Sequence, residues 1–274
     1  MNVATPDTGR PPVVRQPVHG LAGELQRLPI QIAPSPWPGW EHVRGFGVFA
    51  LPFSSGHVLA LRVFPQSDFA PFATLWHRTP EGDWSIFYDA PRADIACPRY
   101  FGPATRHVQP AHITLTWTGP MALRVEMDAP ALDWAVSLRA TPLLRAMNAV
   151  NARMPLSSWR LPPLVRVREW MARRILGLGD VTLVGSMPSG HHGILMPARI
   201  LFVAASHAAL DGVDLGEPIQ MRENPRIGQV VLPARPTFAI GQAFFKIRDE
   251  EEYRRTVEEL RQSAGERPSA LAMH

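Results

Sequence analysis

Apolar and polar positions alternate with period two over much of this chain, which is the signature of half-buried strands in an antiparallel sheet. Gly45–Leu51 and His57–Phe64 are two such runs, and Pro52-Phe-Ser-Ser-Gly56 between them is a hairpin-sized loop with glycine where positive φ is needed. Ala73–Arg78 and Trp84–Tyr88 flank a second turn, Thr79-Pro-Glu-Gly-Asp83. His112–Trp117, Met121–Met127 and Leu132–Arg139 follow with short turns and predict a meander.

The period then changes. Thr141-Pro142 supplies a capping residue followed by proline at the first helical position, and Leu143, Met147, Val150 and Met154 recur at helical spacing. A second helix is predicted over Leu164–Leu176, with Val167, Trp170, Met171 and Ile175 at similar spacing and Gly177 and Gly179 as stop signals. Alternation returns at Val181–Val184, Arg199–Ala204, Gln229–Leu232 and Thr237–Phe245. A last helix starts near Glu250, with Asp249 as N-cap and Glu252 completing a capping box.

These elements predict a mainly β fold: an antiparallel barrel or sandwich of lipocalin-like type, with two barrel-like halves as one form of it. Residues 20–140 are the first β region, 141–178 a two-helix insertion, 179–248 the second β region and 249–274 the C-terminal helix and tail. Residues 1–19 are Pro-rich and polar, and are expected to be a disordered tail, as is the segment from residue 263 onwards.

Composition narrows the function classes. Hydrophobic residues make up 46% and charged residues 19% of 274, which suits a folded core. The net charge is +4 and Lys246 is the single lysine, so the basicity is almost all arginine; with no recognisable nucleic-acid module, no such partner is expected. One cysteine, Cys97, allows neither an internal disulfide nor a thiolate zinc cluster. No apolar run approaches the ~18 residues of a membrane span and no signal peptide is visible, so a cytoplasmic location is expected.

The segment Ile113-Thr-Leu-Thr-Trp-Thr-Gly-Pro-Met-Ala-Leu-Arg-Val-Glu-Met127 with Leu132-Asp-Trp134, supported by Trp84-Ser-Ile-Phe-Tyr-Asp89, resembles the meander of the lipocalin-like carotenoid hydratases, the hydroxyneurosporene synthases. The resemblance spans about residues 45–140. It implies a calycin-type barrel with an apolar interior for an isoprenoid, polyketide or fatty-acid-like ligand. The helical insertion departs from that family's pattern.

Candidate chemistry follows. His77 and Asp89 are the acid–base pair to test for cofactor-free hydration, isomerisation or cyclisation in a dry cavity. Trp76, Tyr88, Tyr100, Trp117 and Trp134 are the candidate ligand-lining aromatics. His191-His192 in a glycine-flanked loop point to opposite sides if extended, and are read as a polar hairpin tip rather than a metal site. Ser206, His207, Asp211 and Asp214 crowd one stretch without a nucleophile elbow, so a tight Asp211-Gly212 turn with Asp214 bonding local backbone is the preferred reading. Cys97 is read as a small buried hydrophobe. No nucleotide fingerprint is present and no cofactor or metal is expected. Residues 164–176 carry Arg166, Arg168, Arg173 and Arg174 beside Trp170; packing against the sheet is preferred over peripheral contact with a membrane surface. The leading expectation is a binder of a hydrophobic small molecule. The alternative is an interaction protein using a sheet edge or this basic helix.

Overall fold

A computed structural model of the chain describes residues 20–264. Ten strands form its sheet: β1 (Trp40–Pro52), β2 (Val58–Ser67), β3 (Phe72–Arg78), β4 (Trp84–Asp89), β5 (His107–Pro110), β6 (Ile113–Gly119), β7 (Ala122–Met127), β8 (Leu132–Arg139), β9 (His192–Leu210) and β10 (Thr237–Lys246). Their order is β5-β4-β3-β2-β1-β10-β9-β8-β7-β6, with three short strands paired at the side. The helices are α1 (Gly20–Gln26), α2 (Pro98–Phe101), α3 (Pro142–Ala152), α4 (Pro162–Arg174) and α5 (Glu250–Ala264).

The sheet curls into a half-barrel. Ala73 and Leu75 from β3 share one core with Ile113 and Trp117 from β6 and Trp134 from β8, although these strands stand far apart in the hydrogen-bonding order. Ala22 and Leu25 of α1 pack into the same core, and Ala22 donates its N–H to Pro120 O at 3.2 Å. The hollow of the curl is therefore filled by side chains.

The expected closed antiparallel barrel or sandwich is corrected to an open, mixed sheet. β4 and β5 run parallel, as do Gln31–Ile32 and β2. The two β regions are not separate barrels, because β10 bonds to β1 on one side and β9 on the other. β9 runs from His192 to Leu210, well beyond the expected Arg199–Ala204. Register shifts at Pro197/Arg199 and Val203/Ala205 explain the difference, since each bulge resets which side chains face the core and breaks the alternation. The expected strands of the first β region and the meander match β1 to β4 and β6 to β8, whereas α1, α2 and β5 are additions that the alternation does not signal.

Capping residues act as expected at the helix starts, although Glu252, expected to complete a capping box, instead accepts Arg99 Nη1 at 3.1 Å. Thr141 Oγ1 accepts Leu144 N–H at 3.2 Å, and Asp249 Oδ1 accepts Glu251 and Glu252 N–H at 2.9 and 3.0 Å. Of the expected tails, residues 1–19 and 265–274 lie outside the described residues, while Ser263 and Ala264 close α5.

One feature of the sheet positions everything on its other face. Gly45 of β1 is directly opposite Gly241 of β10, and Gly241 opposite Pro197 of β9, so three strands carry no bulky side chain along one row. The backbones close in on each other there: a Cβ on Gly45 would lie 1.9 Å from Val63 O, and one on Gly241 would lie 2.1 Å from Met196 O. This row is a crease, and only glycine fits at positions 45 and 241.

Candidate functional site

A cavity of about 60 Å³ lies over the crease, on the face of the sheet opposite the filled hollow. Gly45, Gly241 and Pro197 form part of its floor, Phe64, Phe72 and Trp76 one side, and Cys97, Tyr100 and Phe101 its cover. The cover is the segment from Ala93 to Ala104, two short 3-10 turns around α2, in which Pro98 and Pro103 occupy early helical positions that need no N–H. Ile227, Val230 and Leu232 extend the same cluster.

Arg62 is the one arginine in this lining. It is only 6% exposed and forms no ion pair with any carboxylate among the described residues. Its Nη1 donates to Val48 O at 2.6 Å and Leu61 O at 3.0 Å, and its Nη2 to Phe49 O at 3.0 Å. Register is lost between Phe46 and Leu51 along β1 and β2, so the guanidinium serves carbonyls of β1 that the ladder does not. It lies between two ring faces, 4.3 Å from Phe49 and 4.9 Å from Trp76. Nε–H and one Nη2–H are left without a protein acceptor among the described residues. Burial lowers its pKa to about 10, so the group stays cationic at neutral pH. Burial likewise pushes the Cys97 thiol up to about 11; it remains a neutral thiol and supplies no counter-charge.

Behind the cover lies an acidic network. Glu41, 1% exposed, accepts Arg99 Nη2 at 2.7 Å and the Tyr100 hydroxyl at 2.5 Å. Arg99 also reaches Glu252 of α5 at 3.1 Å. Tyr100 stacks on Phe245 with centroids 3.6 Å apart, and its hydroxyl is held neutral by burial and the neighbouring Glu41. Asp68, buried nearby, accepts His42 N–H and the Tyr253 hydroxyl, both at 3.2 Å on Oδ2, while its Oδ1 has no hydrogen-bond partner among the described residues. Desolvation raises the Asp68 carboxyl to about 7.

The structure divides the residues singled out from the sequence. Trp76 and Tyr100 line the cavity, and Tyr88 packs against the same cluster. Trp117 and Trp134 are on the opposite face, in the filled core. His77 pairs with Ser85 and Asp89 with Ala73, so they stand four residues apart along β3, roughly 13 Å. They form no acid–base pair. His77 Nε2 instead lies 2.7 Å from His57 Nδ1, and burial with that neighbour lowers its pKa to about 4. Asp89 Oδ2 accepts Ile113 N–H at 2.9 Å.

The remaining motifs resolve locally. His191 is buried, 2.7 Å from Ser189 Oγ and edge-on to Tyr100, whereas His192 is exposed. Asp211 and Gly212 both have positive φ and turn β9 into Val213–Asp214, and Asp214 Oδ1 accepts Gly216 N–H at 2.8 Å. Among the described residues no group of three or more His, Cys, Asp or Glu side chains could hold a metal ion. Arg62 was not singled out from the sequence because Leu-Arg-Val reads as an ordinary strand with arginine on its wet side. Arg62 keeps the strand's alternation, with Leu61 and Val63 on the filled-core face and Ala60 and Phe64 on its own, and it is buried because the Ala93–Ala104 cover lies over that second face. Comparison with known proteins finds no family model, no curated protein and no solved structure that matches this chain.

Proposed function

We propose that this protein binds a compact apolar monocarboxylate in the cavity over the crease, with Arg62 as the anchor of the carboxylate. The observation that carries the reading is a buried guanidinium, without a carboxylate partner among the described residues, in a mainly apolar pocket. A buried unpaired charge costs several kcal/mol, and three carbonyls and two ring faces offset only part of that. A carboxylate taking the two free N–H groups would complete the pairing, and arginine is the side chain best shaped for it.

Size limits the guest. The cavity exceeds the ~10–15 Å³ that one water needs, and is well below the ~300 Å³ at which ordinary ligand pockets begin. An aromatic acid or a short acyl chain fits this better than a long isoprenoid or fatty acid. The separation of His77 from Asp89 favours binding over acid–base turnover by that pair.

The test is titration with benzoate and octanoate beside benzyl alcohol and octanol, followed by tryptophan fluorescence and calorimetry. The acids are expected to bind about tenfold or more tighter than their alcohols. Arg62→Met should erase that preference while retaining the alcohols, which also shows that the pocket is still formed. Equal affinity of acid and alcohol for the wild type, or an unchanged preference in Arg62→Met, would overturn the reading.

A further inference from the structure

The arginines are unevenly placed. Between Pro142 and Ile175 there are seven of them and one acid, Glu169, giving this segment a net +6, so the rest of the chain together carries −2. Glu169 does not screen the surface: its Oε1 accepts Leu183 N–H at 3.0 Å. Arg168 is also turned inward, bonding Ser158 and lying over Trp159.

The segment folds as a helical hairpin with one side on the sheet. Leu144 of α3, Ala172 of α4, Leu176 and Phe202 of β9 form a common cluster, so both helices bury a face against the same strand. What remains outward mixes arginine with large apolar side chains. Trp170 is 57% exposed, Val167 52%, Leu161 52% and Val150 64%. At 100° per residue, Val167, Trp170 and Arg174 fall within one narrow stripe of α4, with Arg166 beside it. Arg145, Arg166 and Arg174 have no acidic partner among the described residues.

We propose that this outward face of α3 and α4 docks on an anionic membrane surface, with Trp170 and Val167 entering the headgroup boundary and the arginines meeting lipid phosphates. Neutral carbon surface and cationic side chains on one helical face are the two attractions that hold an interfacial helix in the plane of a bilayer. Tryptophan suits that boundary because its ring is apolar and its N–H remains wet. The occupant is a lipid surface rather than a buried protein interface, because the unpaired Arg166 and Arg174 stand beside Val167 and Trp170 instead of being excluded from them. Among the described residues no helix is long and apolar enough to cross a membrane, so the contact is peripheral for these helices.

The experiment is co-sedimentation of the full chain with vesicles of phosphatidylcholine alone and of phosphatidylcholine with phosphatidylglycerol in equal parts, at low and high salt. The wild type should bind the anionic vesicles and be released by salt. Arg145→Gln/Arg166→Gln/Arg174→Gln should weaken binding about tenfold or more. Trp170→Ala should weaken it while leaving the circular dichroism spectrum and melting temperature unchanged, because the side chain is exposed. Absence of binding to anionic vesicles at low salt, equal binding to both vesicle types, or unchanged binding by both variants would overturn the proposal. Retention on heparin without vesicle binding would also overturn it, assigning the face to a soluble polyanion.

Discussion

Arg62, Asp68 and His77 are on or beside two neighbouring strands, and each meets burial differently. Arg62 keeps its charge, His77 gives its charge up, and Asp68 is balanced near neutrality. The two acid–base groups give opposite signatures in stability against pH. For Asp68 the folded form holds its proton up to about 7 while an unfolded aspartate releases it near 4, so its contribution falls as pH rises between those values. For His77 the unfolded state takes up a proton first on acidification, so its contribution is lost as pH falls from about 6.5 towards 4. Asp68→Asn removes the first effect alone. Its melting temperature should exceed that of the wild type at pH 8 by an amount equivalent to roughly 1–4 kcal/mol, and the difference should shrink towards pH 5. Paired thermal melts across that range check it, and a constant offset would contradict it.

At the scale of elements, the crease and the last helix each make a prediction. Gly241→Ala forces a Cβ into Met196 O, which belongs to backbone and cannot swing aside, so β9 and β10 must part. A loss of about 1–3 kcal/mol or more in denaturant unfolding is expected, with loss of acid binding in proportion. α5 is held by Leu260 against Phe69 and Ile95, and by Tyr253 on Asp68. Leu260→Ala should cost about 2–4 kcal/mol in the same measurement. The sequence makes most elements legible, because alternation in β1 to β4 and β6 to β8 and capping at Thr141 and Asp249 are local signals. It conceals α1, whose seven residues carry little periodicity, and the span of β9, whose two bulges scramble its pattern. The site is less legible still. Trp76 and Tyr100 are visible as aromatics, but that the second face of the sheet is covered at all depends on long-range packing of residues 93–104 that no local spacing reports.

As a whole molecule the described residues are built on one large open sheet, joined across its middle by β10 between strands from early and late in the chain. Residues 20–140 alone would expose β1 along a thirteen-residue edge, together with the edge of β8. That fragment should remain unfolded or aggregate by circular dichroism and light scattering, while the full chain melts in a single transition. The row of Gly45, Gly241 and Pro197 also divides what can vary from what cannot. Its dimensions are fixed by main chain pressed against main chain, so no side-chain exchange can deepen the floor. Phe101 is an ordinary side chain of the cover facing that floor, and trimming it enlarges the space without disturbing the sheet. A protein built this way would adapt to bulkier guests by rewriting its ceiling alone.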